Sequence, residues 1–109
     1  MIDLTSLGPV VVHPKREWPD LWPASPRPVK CEGALHTTQR NVHEAVVARK
    51  IADIRRGQVL RASVVVLHGK TWVFDGHHTI AAYFKLGQTP RCWLYANTGS
   101  DMVEAPKLR

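Results

Sequence analysis

The stretch Thr71-Trp72-Val73-Phe74-Asp75-Gly76-His77-His78-Thr79-Ile80-Ala81-Ala82-Tyr83-Phe84-Lys85-Leu86-Gly87 decides the fold. Its first four residues are β-branched or aromatic and read as a strand. From His77 the pattern changes. Ile80, Ala81, Ala82 and Phe84 supply an apolar helix face, the small alanines permit close packing on a sheet, and Gly87 closes the helix. Between them Asp75-Gly76 forms a strand-to-helix corner. The first N–H groups of such a helix have no intrahelical partner and, with the helix dipole, favour an anion. Gly76 lets the backbone come close to a phosphate or take a φ that other residues avoid. Asp75 can cap the helix, or hold a hydroxyl or a Mg²⁺ ion bridging to phosphates.

His77 and His78 are adjacent on the first helical turn and diverge by roughly 100°. They therefore cannot meet one zinc ion from one helix face, and separate tasks are expected of them. One donates a ring N–H to an anion while the other supports it or packs on the sheet. Thr79 adds a hydroxyl donor.

Working upstream, Ala62-Ser63-Val64-Val65-Val66-Leu67 is a β-branched run. The turn His68-Gly69-Lys70 joins it to the strand at Thr71, so the two predict a hairpin. A first helix is expected from Asn41 to Gly57. Asn41 is read as its N-cap, with Glu44 in a capping-box arrangement, and Val47, Ile51 and Ile54 recur at helical spacing. Residues 29–32 alternate in polarity as a half-buried strand, residues 33–40 form a loop, and residues 91–96 form a last strand. The order strand, helix, hairpin, helix, strand predicts a small α+β domain, a mixed β-sheet with two helices packed on it.

Six of the eight prolines lie between Pro9 and Pro28, together with Trp18 and Trp22. Fixed φ and missing N–H groups exclude a regular helix or central strand there. Residues 1–28 are therefore expected to form an extended Pro/Trp-rich arm, residues 29–96 the domain, and residues 97–109 a tail. Trp18 and Trp22 serve either for self-packing in a groove of the domain or as anchors for a protein partner.

With 109 residues the chain is expected to hold one core and one principal site. Fifteen Lys and Arg against nine Asp and Glu give a formal net charge of +6, which attracts nucleotides or DNA to the basic surface. These charges are dispersed, so charge alone leaves a solvated surface and a nucleic-acid face equally open. Cys31 and Cys92 stand far apart in sequence, each in a locally apolar stretch, and are expected to be buried thiols, forming neither a redox CxxC pair nor a zinc knuckle. No stretch approaches the roughly 20 apolar residues that cross a bilayer. Met1-Ile2-Asp3-Leu4 lacks the basic and apolar regions of a secretory leader, so a cytoplasmic protein without membrane contact is expected.

The segment from Trp72 to Gly87, preceded by the strand at residues 64–67, resembles the ParB/sulfiredoxin superfamily, in which a strand leads into Gly-x-x-Arg and an alanine-rich helix. Thr38-Gln39-Arg40 is similar to the glutamine-bearing box of chromosome-partitioning ParB domains. The resemblance covers residues 29–95. It implies a nucleotide pocket in which Gly76, His77, His78 and Thr79 face phosphates, with Gln39 and Arg40 across from them. Members include CTP-hydrolysing partition proteins, ATP-dependent sulfinic-acid reductases, free-serine kinases and ParB-like nucleases, so the fold does not choose the reaction. Sulfiredoxins carry their nucleophilic cysteine where this chain has His77, which disfavours sulfinic-acid reduction. The helix-turn-helix that follows in partition proteins finds no room before residue 109. Thr79 stands where most relatives have a phosphate-contacting arginine, and Arg40, Arg49 and Arg61 are the cations available to compensate.

Three functions remain at this point. The first is an NTP-dependent phosphohydrolase or phosphotransferase acting near nucleic acid. It would hold Mg²⁺ with ATP or another NTP at residues 75–79, with Asp75 on the metal and Glu44, Asp75 and His77 as catalytic candidates. Glu44 is the first choice of general base and Glu32 the second, while Glu44 serves equally well as a helix cap. The second is a metal-dependent DNA nuclease, which would need His36, His43, His77 and His78 to converge. The third is a non-catalytic module that keeps the fold and binds nucleic acid or protein.

Overall fold

A β-branched hairpin followed by an alanine-rich helix predicts a sheet and a helix meeting face to face. The computed structural model of the chain, which describes residues 1–15 and 26–95, has that arrangement. In chain order its elements are β1 (Ile2–Asp3), a 3₁₀ turn (Leu4–Ser6), β2 (Val10–Val12), β3 (Pro26–Lys30), β4 (Leu35–Thr37) and β5 (Asn41–Val42). Then follow α1 (Glu44–Arg55), β6 (Ala62–Leu67), β7 (Lys70–Asp75), α2 (His77–Lys85) and β8 (Arg91–Tyr95).

Six strands form one mixed sheet in the order β2-β4-β7-β6-β8-β3. The hairpin β6–β7 is its centre. His68 and Gly69 both have positive φ, 51° and 76°, as a two-residue turn matched to the strand twist requires. β6 pairs antiparallel with β7 and parallel with β8, while β3 pairs antiparallel with β8. Pro26 and Pro28 are accommodated because β3 is an edge, where one row of N–H groups is not needed for pairing.

Alternation along the strands sorts the core into two faces. Ala62, Val64, Val73 and Cys92 pack with Leu35 and with Ile80 of α2. Val65, Leu67 and Trp72 gather with Phe74 as a separate cluster on the other face. Coverage on both sides explains why β6 reads as a nearly continuous apolar run. α1 packs chiefly on α2 rather than on the sheet: Val47 meets Ala81 and Ala82 in a cluster completed by Leu4 and Val42.

Several expectations need correction. Residues 1–28 are not an arm throughout, since β1 pairs with β5, β2 pairs in parallel with β4, and Leu4 is 1% exposed in the core. Proline composition misled the reading because prolines flanking a short edge strand do not block its pairing. Trp18 and Trp22, and the tail from residue 97, lie outside the described residues. The loop expected at residues 33–40 contains β4, which is too short to show periodicity. Asn41 belongs to β5 and does not cap α1. His43 occupies the N-cap, without a side-chain cap bond, and Glu44 is the first helical residue, so the capping box does not form.

Candidate phosphate-binding site

β7 ends at Asp75 and α2 begins at His77, so the whole change of direction falls on Gly76. Its φ of 87° and ψ of 32° are left-handed. A Cβ there would stand 2.8 Å from the Cα of Ala62 on the neighbouring strand, so both conformation and space demand glycine. Asp75 Oδ1 accepts the N–H of Gly76 at 2.9 Å, and no side chain caps α2. The backbone N–H groups of His77, His78 and Thr79 thus open the helix without intrahelical acceptors.

The two histidines diverge as their spacing requires and staple the first turn of α2 to two other elements. His77 Nε2 lies 2.6 Å from the Thr37 hydroxyl of β4, which also accepts the Gln39 N–H at 3.1 Å. His78 Nε2 accepts the His43 N–H at 3.1 Å, placing its own ring proton on Nδ1. The rings of His43 and His78 are stacked, 5.9 Å between centroids and 7° between planes. Burial holds the His77 imidazole below its ordinary pKa, opposed by the Asp75 carboxylate and reinforced by His78. His78 is lowered by burial first, then by the neighbouring charges of His43 and Lys50. Neutral rings suit these roles, because a protonated His78 could not accept the His43 N–H.

Thr79, expected to add a hydroxyl donor beside the histidines, is 4% exposed. Among the described residues nothing hydrogen-bonds that hydroxyl, an unusual state for a buried polar group.

No family model, curated protein or solved structure matches this chain. The functional reading therefore rests on what these side chains can do. Asp75, Gly76, His77, His78 and Thr79 come together by sequence adjacency, with Gln39 reaching the group through its backbone. Its side chain turns back to the Asn41 carbonyl at 3.0 Å. Arg40, expected across from the turn, instead pairs with Asp3 at 3.3 Å. Glu44 faces the Met1 amino group at 3.5 Å and, among the described residues, makes no bond to the turn. Glu32 lines a separate recess with Cys31 and Phe84. Arg49 is exposed on α1, and Arg61 lies over the Trp93 ring.

The histidines that the nuclease reading would need to converge separate into three places. His36 contacts His13, with His13 Nε2 2.9 Å from His36 Nδ1 beside Trp72, while His43 joins His78 and His77 joins Thr37. No three His, Cys, Asp or Glu side chains among the described residues gather as a metal centre. The sequence reading missed Thr37 and Lys50 as members of the group, and it named His43 beside His77 and His78 only as a candidate metal ligand. Lys50 follows His43 by seven residues, two helical turns on the same face of α1, and that spacing was the available signal.

Proposed function

We propose that the chain binds the phosphates of a nucleoside triphosphate at residues 75–79, as the resemblance to the ParB/sulfiredoxin superfamily implies. The observation that carries this reading is an uncapped helix start behind a glycine that admits no side chain, with the orphaned hydroxyl of buried Thr79 in the same turn. Backbone N–H groups supply the anion-binding donors, and the Nδ1–H of His78 adds one more. Lys50 contributes positive charge on the His78 side. The second oxygen of Asp75, left over from its bond to Gly76, suits a Mg²⁺ ion that takes one carboxylate and the phosphates of its nucleotide. Such an ion would supply charge neutralisation on the phosphates. Hydrolysis or phosphoryl transfer would then draw on Asp75 and His77, the catalytic candidates that stand at the turn.

Thermal shift with ATP, ADP, CTP and GTP, each with and without Mg²⁺, tests the proposal. Ligand at about 100 times its Kd stabilises the folded state by about 2.7 kcal/mol. The expected result is a shift for at least one triphosphate that shrinks in Thr79→Val, which keeps the side-chain shape and removes the hydroxyl. No shift with any nucleotide overturns the reading.

A further inference from the structure

On the sheet face opposite α2, the geometry points to a binding platform for single-stranded nucleic acid, with phosphates at Lys30, Arg61 and Arg91 and a base stacked at Trp93. Strand register carries the inference. Ala62 pairs with Cys92 and Lys30 with Arg91, so Arg61, Arg91 and Lys30 stand in one row across three neighbouring chain segments. Adjacent strands lie about 4.8 Å apart. Like charges facing each other across strands are destabilising, and a polyanion would relieve the repulsion.

No carboxylate among the described residues pairs with any of the three. Arg61 donates to the Cys92 carbonyl at 3.3 Å, and its guanidinium carbon lies 5.1 Å from the Trp93 ring centroid. With Pro28 and Val29 the three cations line an open recess of about 320 Å³.

The next position along β8 is the second half of the platform. Val29, Cys92 and Leu94 pack into the core beneath α2, so alternation turns Lys30, Arg91, Trp93 and Tyr95 to the other face. Trp93 is 38% exposed, among the few large apolar side chains so presented. Tyr95 beyond it meets Phe74 edge to face at 5.2 Å, which extends the aromatic strip. Cations that track a backbone beside a ring that stacks bases are what a single strand requires. A duplex hides its bases and would use only the charges. An acidic peptide has no base to place on Trp93.

Fluorescence anisotropy of a labelled oligothymidylate of about 10 nucleotides tests this, a length within the usual site sizes of such folds. Trp93→Ala is expected to weaken binding roughly 5- to 150-fold, the range of one lost stacking contact, with Trp93→Phe restoring part of it. Arg91→Ala and Lys30→Ala should each lower the slope of log affinity against log salt by about 0.7. All these side chains lie outside the main core clusters, and unchanged thermal midpoints would confirm that the variants fold.

Three results would each overturn the inference: no binding of the oligonucleotide, equal binding by wild type and Trp93→Ala, or binding of polyglutamate or phosphatidylserine vesicles as tight as that of the oligonucleotide. The platform does not rest on the nucleotide reading. Trp93→Ala leaves the turn at residues 75–79 intact, and Thr79→Val leaves the platform intact, so either can fail alone.

Discussion

Replacing Gly76 with alanine separates two demands that the strand-to-helix corner makes. A left-handed backbone costs a residue with a Cβ about 1–2 kcal/mol. At Gly76 the new methyl would also meet Ala62, at 2.8 Å from its Cα and 3.0 Å from its Cβ, and backbone on a central strand cannot retreat as a flexible side chain would. Overpacking of this kind costs about 1–3 kcal/mol. The sum is about 2–5 kcal/mol, a large part of the roughly 5–15 kcal/mol that holds a domain folded. Gly69→Ala supplies the control, because Gly69 has a φ of 76° but nothing within 4 Å of its would-be Cβ. It should lose only the conformational part. Urea unfolding of the two variants, at unchanged m, is expected to place Gly76→Ala below Gly69→Ala by about 1–3 kcal/mol. Equal losses would refute the close approach of Gly76 to Ala62, and with it the reason for glycine at the corner.

Acid should weaken the fold through its histidines. His36, His77 and His78 are all held below the ordinary value of 6.5, mainly by burial, so in mildly acid solution the unfolded chain binds more protons and stability falls as pH drops below that value. Urea midpoints at about pH 8 and about pH 5.5 should show this, and His78→Gln, which keeps an acceptor for the His43 N–H, should flatten the dependence; an unchanged slope would contradict the assignment. The two cysteines should react in order. Cys31 is half-buried and its thiol is lowered by the hydrogen bond with Cys92, whereas the Cys92 thiol is buried and pushed up. Iodoacetamide followed by mass spectrometry is therefore expected to label Cys31 in the native protein and Cys92 only after denaturation.

The parts of the fold visible in the sequence are those whose periodicity runs long enough to be unambiguous. The hairpin at residues 62–75 and α2 announce themselves through β-branched runs, a turn and a change of period. α1 was legible along its length but not at its start, because Asn41 satisfies the chemistry of a cap while the backbone there pairs with β1. β1, β4 and β5 span two or three residues each, and at that length pairing partners rather than local preference decide the structure. β2 was hidden differently. Val10–Val12 is a plain strand sequence that the surrounding prolines disguised as part of an arm.

The site shows the same division between local and distant information. Residues 75–79 are adjacent in the chain, so their grouping was readable, but the tasks of the two histidines depend on β4 and α1, which sequence alone could not place. The residues themselves predicted one imidazole on an anion and one in support, while the resemblance implied that both face phosphate. Instead each gives one nitrogen to an internal bond, His77 at Thr37 and His78 at the His43 N–H. The consequence bears on Thr79. With the histidines holding the helix start in place, the donors left for an anion are the backbone N–H groups and the Nδ1–H of His78, whose positions are fixed by the fold and not by a long side chain. An arginine at position 79 would have to leave the buried place that Thr79 fills at 4% exposure. Positive charge for the proposed anion site is then available from the α1 side, at Lys50, and Lys50→Ala is expected to shrink the thermal shift given by a triphosphate while leaving the corner at Gly76 intact.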